Sequence, residues 1–266
     1  MEAVFFIKVK TRVSLCSCIW TALSQGNKIM SKHFMVDIET LSTAVNAVVL
    51  SVGAVEFDPF TGNIEREFYC ELRLDMQRDR HIAGDTVQWW AKQLTENNVP
   101  NIFAKANAEK KAPNEAVFAL AEFFKSSAYG VTSPEGYEHI VVWACDPDFD
   151  LAILSNLYGE LNLPVPWKFW ETRSVRTARM LNNIAGIVVP QGVVTHNALE
   201  DCKRQVEDVS ALLSMLHQVS KNKQNIINAY HGLTACRKLT PDSRLNSNVD
   251  NLLHQVAKVF SLPMEE

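Results

Sequence analysis

This sequence of 266 residues lacks closely paired cysteines of the metal-binding kind, a net positive charge and long apolar runs. The cysteines lie without the paired spacing of a zinc site, and they do not suggest a disulfide-rich secreted protein. They are Cys16, Cys18, Cys70, Cys145, Cys202 and Cys236. A net charge of -4 argues against a coat-type nucleic-acid binder, which is usually strongly basic. An enzyme that handles nucleic acid through metal ions and a local basic groove stays open, and we expect a reduced, cytoplasmic compartment.

Internal repeats and low-complexity blocks are also missing. Hydrophobic residues make up 47% of the chain, which is enough for a substantial core. We therefore predict one large domain over residues 31–219. It would follow an N-terminal extension of residues 1–30 and precede a helical or flexible appendage at 220–266.

The N-terminal extension carries the longest apolar run. Lys8, Lys10 and Arg12 precede "VSLCSCIWTAL", which superficially resembles the charged and apolar regions of a signal peptide. That run is too short for a membrane-spanning helix, which needs about 20 apolar residues. An export signal and an irregular extension, with Met30 as the natural start, are the two interpretations. We favour the second and expect no membrane association.

The first elements of the domain show strand patterns. In "KHFMVDIET", two sets of residues alternate as the two faces of a strand do. They are Phe34, Val36 and Ile38 on one face, and Met35, Asp37 and Glu39 on the other. The β-branched run "AVNAVVLSVGAVEFD" and the alternating "EREFYCELRL" follow, separated by the turn residues "PFTGN". The order predicts a three-stranded antiparallel meander.

Helical spacing dominates the rest of the chain. We predict a helix over "TVQWWAKQL" capped by Asp85, and one over "EAVFALAEFFKSS" capped by Asn114. The strand "EHIVVWACD" and the helices "DFDLAILSNLYGEL" and "SVRTARMLNNIAG" follow, the last ending at Gly186. The final long helix covers 198–219, with a core stripe of Val206, Val209, Leu213 and Leu216. Strands first and helices later predict an α/β fold, a mixed sheet with helices on both faces.

Acidic residues recur where these elements end. Asp37 and Glu39 project from one face of the first strand, where two carboxylates repel each other unless a cation neutralises them. Hard oxygen ligands suit Mg²⁺ or Mn²⁺. Taken alone, such a pair also fits a turn or a solvent-exposed position, so it is a weak signal.

Two later stretches add to this pair. "VVWACDPDFDLAIL" offers Asp146, Asp148 and Asp150 where a buried strand meets a helix, although Asp is also a common helix cap. "VVTHNALEDCKRQ" places His196 in a turn before a helix, with Asp201 in its first turns. A lone histidine there is more often a surface or capping residue than a catalyst.

Together these stretches resemble a known family. The motifs "VDIET", "W-x-x-x-P-x-F-D-x-x-x-L" and "H-N-A-x-x-D", in this order, resemble those of the DEDDh 3′-to-5′ exonucleases, which include polymerase proofreading subunits and ribonuclease T. "DTVQWWAKQ" and "PWKFWETRSVRTA" are similar to a phage-type branch containing T-even phage exonuclease A and prophage exonucleases named after exonuclease VIII. The resemblance covers about 32–218 and implies a ribonuclease H-like fold with a five-stranded mixed sheet.

The resemblance also implies a site. Asp37, Glu39, Asp150 and Asp201 would bind two Mg²⁺ or Mn²⁺ ions, and His196 would act as general base. Asp150 is chosen from its acidic cluster because it follows an aromatic residue, as the family's acid does. Asp146 and Asp148 depart from the family pattern of small or polar residues. Extra metal affinity and helix capping both explain them, and we favour capping.

The implied substrate is the 3′ end of single-stranded DNA or RNA. Six residues are candidates to contact it: Ile38, Thr40, Trp89, Trp90, Arg173 and Arg176. The two near the first motif would touch the terminal nucleotide, with backbone amides reaching its 3′-hydroxyl. The tryptophans fit base stacking or the core equally well, and the arginines fit phosphate contacts or a solvated helix face.

Several relatives form dimers, so a homodimer stays open, although nothing in the sequence identifies an interface. Two other functions stay open. One is a catalytically silent member that binds nucleic acid or a protein, and the other is a hydrolase of small phosphate esters.

Overall fold

The computed structural model describes residues 31–97, 99–128, 140–190, 192, 195–239 and 246–260. The predicted N-terminal extension lies outside the described residues. Within the described part of the chain, no helix combines the length and the apolar character needed to cross a membrane.

Five strands form one mixed sheet. They are β1 (Lys32–Thr40), β2 (Val49–Phe57), β3 (Ile64–Glu71), β4 (Ile140–Ala144) and β5 (Thr172–Ser174), in the order β3-β2-β1-β4-β5. The first three strands pair antiparallel, whereas β4 lies parallel to β1 and β5 parallel to β4. The predicted antiparallel meander and the mixed five-stranded sheet are confirmed.

The described part of the chain contains six α-helices. They are α1 (Gly84–Glu96), α2 (Pro113–Ala128), α3 (Asp150–Glu160), α4 (Val175–Ala185), α5 (Ala198–Leu239) and α6 (Asn246–Phe260). Single 3₁₀ turns cover Asn107–Glu109 and Phe169–Glu171.

The alternation of β1 divides the core between the two faces of the sheet. Phe34, Val36 and Ile38 join one buried cluster, to which α2 and α3 contribute apolar side chains such as Leu120 and Leu154. Met35 belongs to a second cluster, whose other members come from neighbouring strands and from α4 and α5. The prediction of helices on both faces is confirmed.

Two of the predicted helix caps are wrong. Helix α1 has Ala83 at its N-cap, and Asp85 lies inside the first turn, where its Oδ1 accepts a hydrogen bond from the Thr86 N–H. Helix α2 begins one residue before Asn114, at Pro113, whose fixed φ suits a first helical position. Gly186 ends α4 as predicted, with a φ of 69° in the left-handed region.

The C-terminal part of α5 differs from the prediction. The helix was expected to end near 219, but it continues to Leu239 and packs against α6 through Tyr230, Leu253 and Ala257. Leu216, predicted as core, is 49% exposed. The apolar pattern weakens after residue 219 because only a narrow stripe of this part of α5 packs against α6. The predicted boundary at 219/220 falls inside this helix, and the division into domains stays a prediction.

Candidate active site

The carboxyl end of β1 carries the first two predicted site residues. Asp37 and Glu39 are each 9% exposed and project toward the sheet face covered by α5. Asp150, at the start of α3, lies beside them and is buried. Its Oδ1 accepts from the Ile38 N–H at 3.3 Å, and its Oδ2 from the Asp146 N–H at 3.3 Å. Two main-chain donors therefore orient this carboxylate at the ends of adjacent parallel strands.

A glycine allows the third motif to reach the same place. Gly53 stands opposite Asp37 in the β1–β2 pair, and a Cβ on it would lie 2.3 Å from the carbonyl carbon of Ala198. Since real Cβ atoms essentially never come under 3.0 Å, only glycine lets the start of α5 lie directly on β2. This close approach brings Asp201, in the first turn of α5, to the carboxylates of β1.

The turn before α5 positions the histidine. Asn197 caps the helix, because its Oδ1 accepts from the N–H groups of Leu199 and Glu200 at 3.1 and 3.2 Å. His196 precedes it with a φ of 49°, an uncommon conformation for a residue other than glycine. This turn directs the imidazole back toward the carboxylates, as the contacts below show.

The five predicted site residues line one cavity of about 440 Å³. They are Asp37, Glu39, Asp150, His196 and Asp201. Ligand atoms of Glu39, His196 and Asp201 all lie within 4.8 Å of one another, a spacing that one metal ion can bridge. Three motifs spread over residues 37–201 thus converge on one place.

Burial, and secondarily the charges of neighbouring carboxylates, raises the pKa values of three site residues. Burial, followed by the charges of Asp201 and Asp150, raises the pKa of Glu39 to about 8. Burial also raises the pKa of Asp150 to about 7, although its main-chain hydrogen bonds oppose the rise. The pKa of Asp37 lies well above its usual value, because of burial and then the charges of Asp150 and Glu39. Such a site favours protonation or a bound cation.

Cationic side chains do little to relieve this repulsion. Among the described residues, no lysine or arginine forms an ion pair with Asp37, Glu39 or Asp150, and only Asp201 meets one, from Arg204 at 3.2 Å. Buried oxygen ligands with uncompensated negative charge fit Mg²⁺ or Mn²⁺. The donor set therefore suits the divalent ions that the sequence predicts.

His196 is half-buried beside the carboxylates. Burial lowers the pKa of its imidazole below 6.5, and the nearby charge of Asp201 only partly opposes this. The ring of Trp89 packs edge-on against the imidazole, with centroids 4.7 Å apart. Near pH 7 the imidazole is therefore mainly neutral and able to accept a proton.

One site residue escaped the sequence analysis. Gln205 is buried, and its Nε2 donates a hydrogen bond of 2.7 Å to Asp37 Oδ1. Its only signal in the sequence is its position one helical turn after Asp201, which places both side chains on one face of α5. Glutamine is common on helices, so that spacing by itself indicates nothing.

The extra acids of the second motif do not cap α3. The N-cap position is Phe149, which makes no side-chain cap bond, so the capping prediction is wrong. The Asp146 carboxylate lines the cavity and faces the Nε of Arg176 at 3.4 Å. Asp148 is exposed and is not among the residues that line this cavity.

A second cavity of about 490 Å³ adjoins the first and shares Ile38, Glu39 and Phe149 with it. Thr40, Trp89 and Trp90 also line it. Trp90 is a core residue, 2% exposed, and its Nε1 donates to the Thr40 carbonyl at 2.9 Å, whereas Trp89 is 40% exposed. The Ile38 N–H donates to Asp150 Oδ1, and the contact of the backbone amides near Ile38 and Thr40 with a 3′-hydroxyl stays a prediction.

The two predicted arginines separate. Arg176 lines the first cavity at its mouth. Arg173 lies outside both cavities, and its Nη1 donates to the carbonyls of Trp170 and Thr172 at 2.7 Å. The structure therefore brings only Arg176 to the carboxylates.

Comparisons with known proteins find exonucleases among the solved structures. A search of curated proteins finds no match. The solved structures that match include exonuclease I from Methylocaldum szegediense, at 14% identity and a TM-score of 0.47, covering 69% of this chain and 40% of that one. They also include the nuclease domain of 3′hExo, a DEDDh family member bound to rAMP, at 11% identity and a TM-score of 0.45, covering 69% and 92%.

E. coli exonuclease I in complex with a dT13 oligonucleotide matches at 14% identity and a TM-score of 0.44, covering 76% of this chain and 44% of that chain. The chain thus spans less than half the length of both exonuclease I proteins, and likeness at this level carries no argument about activity. The family model described as the 3′-5′ exoribonuclease Rv2179c-like domain matches residues 32–213. The narrower phage-type assignment stays a prediction.

Proposed function

We propose that this chain, which belongs to the family of 3′-5′ exoribonuclease Rv2179c-like domains, removes nucleotides one by one from the 3′ end of single-stranded nucleic acid. One observation carries the proposal: four buried carboxylates from three distant segments meet in one cavity with His196 beside them. The products would be nucleoside 5′-monophosphates, released in the cytoplasm.

The four carboxylates would hold the divalent metal. Asp37, Glu39, Asp150 and Asp201 offer oxygen ligands, and their mutual repulsion supports a cation between them. Bound there, two Mg²⁺ or Mn²⁺ ions would lower the pKa of water and stabilise the negative charge on the phosphate and the leaving oxygen.

The protein's own groups would position and move the proton. His196, neutral near pH 7, accepts a proton from the attacking water as its oxygen bonds to phosphorus and the bond from phosphorus to the 3′-oxygen breaks. Trp89 packs against the imidazole and restricts its orientation. Gln205 and the Ile38 amide hold Asp37 and Asp150 in place.

The second cavity is the proposed place of the terminal nucleotide. It opens directly beside the carboxylates, and Ile38, Thr40 and the exposed face of Trp89 offer it an apolar and a stacking surface. Arg176, at the mouth of the first cavity, is the proposed contact for a phosphate.

The test is hydrolysis of single strands labelled at either end. With Mg²⁺ or Mn²⁺, 5′-labelled RNA or DNA should give a ladder of shortened products, 3′-labelled strands should release labelled mononucleotide at once, and chelator should abolish both. Binding without cleavage would indicate a silent member. Turnover of a mononucleotide ester with no cleavage of any strand would indicate a small-ester hydrolase. Matched RNA and DNA sequences measure the sugar preference, and light scattering measures whether the chain forms a homodimer.

A further inference from the structure

Two aromatic side chains stand out on the surface beside the sheet. Phe169 is 83% exposed and Trp170 is 56% exposed, in the 3₁₀ turn before β5. Their rings pack edge to face with centroids 4.7 Å apart. Single exposed apolar residues are ordinary, but two adjacent large rings held at the surface usually mark a binding surface.

The charges around these rings are mostly positive. Lys168 places its Nζ 5.4 Å from the centre of the Trp170 ring. Arg173 is exposed, and among the described residues no carboxylate forms an ion pair with it. The one acid in the turn, Glu171, is buried, and its carboxylate accepts a hydrogen bond from the Lys168 N–H at 2.7 Å. The outward face therefore presents rings and cations.

This surface is connected to the candidate active site. Within the described residues, strand β5 is an edge strand that pairs only with β4, and its last residue, Ser174, stands beside Ala144. Two residues later, Arg176 lines the cavity of the carboxylates. A ligand that lies along this edge of the described sheet would thus reach the cavity without leaving the protein surface.

We propose that Lys168, Phe169, Trp170 and Arg173, here called the edge platform, bind the part of the single strand that precedes the scissile bond. Bases stack on exposed aromatic rings with little regard to sequence, and lysine and arginine contact the phosphates between them. The cations favour a polyanion over an apolar protein partner. The inference rests on the proposed exonuclease function, because that function supplies the strand.

The experiment compares the double variant Phe169→Ala/Trp170→Ala with Phe118→Ala. Phe118 is a matched control, since it is 58% exposed but lies on α2, on the sheet face away from α4. Both changes are made in the full chain carrying Asp150→Asn, so that a fluorescent 12-nucleotide strand is not degraded. Binding is followed by fluorescence anisotropy, and folding by thermal unfolding.

We expect the double variant to bind the 12-nucleotide strand about tenfold or more weakly, as alanine substitution of stacking aromatics does elsewhere. Binding of a dinucleotide should stay unchanged, because the dinucleotide is too short to reach the platform. Phe118→Ala should bind both as its parent does. Arg173→Gln should lower the dependence of binding on salt, by about one unit of the logarithmic slope.

Equal affinities of the double variant and its parent for the 12-nucleotide strand would overturn the edge platform. A dimer that becomes a monomer in the double variant, with strand affinity unchanged, would assign the surface to a second copy of the chain instead. In chains that keep the native Asp150, equal cleavage of the strand with and without the two rings would leave the proposed function intact. Failure to cleave any strand would refute the proposed function alone, provided the double variant still weakens binding.

Discussion

Buried carboxylates lie near both ends of β1, and the two groups differ in whether cationic side chains accompany them. Near its start, Glu56 is 2% exposed and meets Lys32 at 2.7 Å and Arg66 at 2.6 Å. Near its end, Asp37 and Glu39 lie with Asp150 and form no ion pair within the described residues. Cations therefore neutralise one buried acid, whereas the three others repel one another.

The difference separates structure from function. A buried carboxylate that serves only the fold is stable when cations accompany it, as Glu56 shows. A cluster without them costs free energy in the metal-free protein, and such strongly perturbed groups mark functional sites. Substitutions of Glu56 and of Asp150 should accordingly have opposite consequences for activity and stability.

The largest effect is expected from Asp150→Asn. Exonuclease activity should fall by roughly a thousandfold or more, as for residues that act as a catalytic unit. The free energy of unfolding of the metal-free protein should change by less than about 1 kcal/mol. One main-chain N–H loses its acceptor because it now faces the amide NH₂, and the relief of charge repulsion offsets this loss. Rates on labelled strands and chemical denaturation measure the two. Retained activity in a folded variant would remove Asp150 from the proposed site.

The opposite result is expected for Glu56→Gln. The free energy of unfolding should fall by about 2–3 kcal/mol. The loss is smaller than for a fully buried ion pair, because Lys32 and Arg66 are one-third exposed and water can hydrate them. The rate on labelled strands should stay near that of the native protein below the melting temperature. If Glu56→Gln lost activity as Asp150→Asn does while its stability stayed unchanged, the contrast between the two acids would be contradicted.

Metal and pH should act together on the carboxylate cluster. The folded-state pKa values of Glu39 and Asp150, about 8 and 7, exceed their usual 4.5 and 3.8. Protonation of these groups therefore stabilises the metal-free fold at low pH, and this contribution is lost as the pH rises from about 4 to 8. Bound metal replaces the protons.

The melting temperature should thus rise on addition of Mg²⁺ or Mn²⁺, by about 5–10 °C at a concentration a hundred times Kd and pH 8. At pH 5.5 the rise should be much smaller. Calorimetry with and without chelator at the two pH values measures it. An equal or larger gain at pH 5.5 would show that the acids do not bind the metal.

A smaller effect is expected from Gln205→Ala. Loss of the hydrogen bond to Asp37 should lower metal affinity and activity about 10–100-fold, the range for residues that orient a metal ligand. The metal dependence of the rate distinguishes this from a general loss of folding, because saturating Mn²⁺ should partly restore the rate. Gln224→Ala is a matched control on the exposed part of the same helix.

The architecture was largely predictable from the sequence because its signals are local. Alternation in β1 assigned Phe34 and Met35 to opposite faces, and both assignments are correct. The helix caps were less predictable, since Asp85 lies within the first turn although aspartate is a preferred cap. The end of α5 was missed because the helix continues after it has left the sheet, supported by the separate partner α6.

The sequence by itself determined the two-face pattern of β1, the order of strands and helices along the chain, and the identity of the acids in the three motifs. Only the tertiary structure decided which groups meet. Gly53 lets α5 lie on β2, so that Asp201 and Gln205 reach Asp37, and no local pattern reports such an approach. The choice of Arg176 over Arg173, and of Trp89 over Trp90, likewise depended on packing. Spacing along a chain sets a side chain's face, whereas its neighbours across space depend on every element that packs between them.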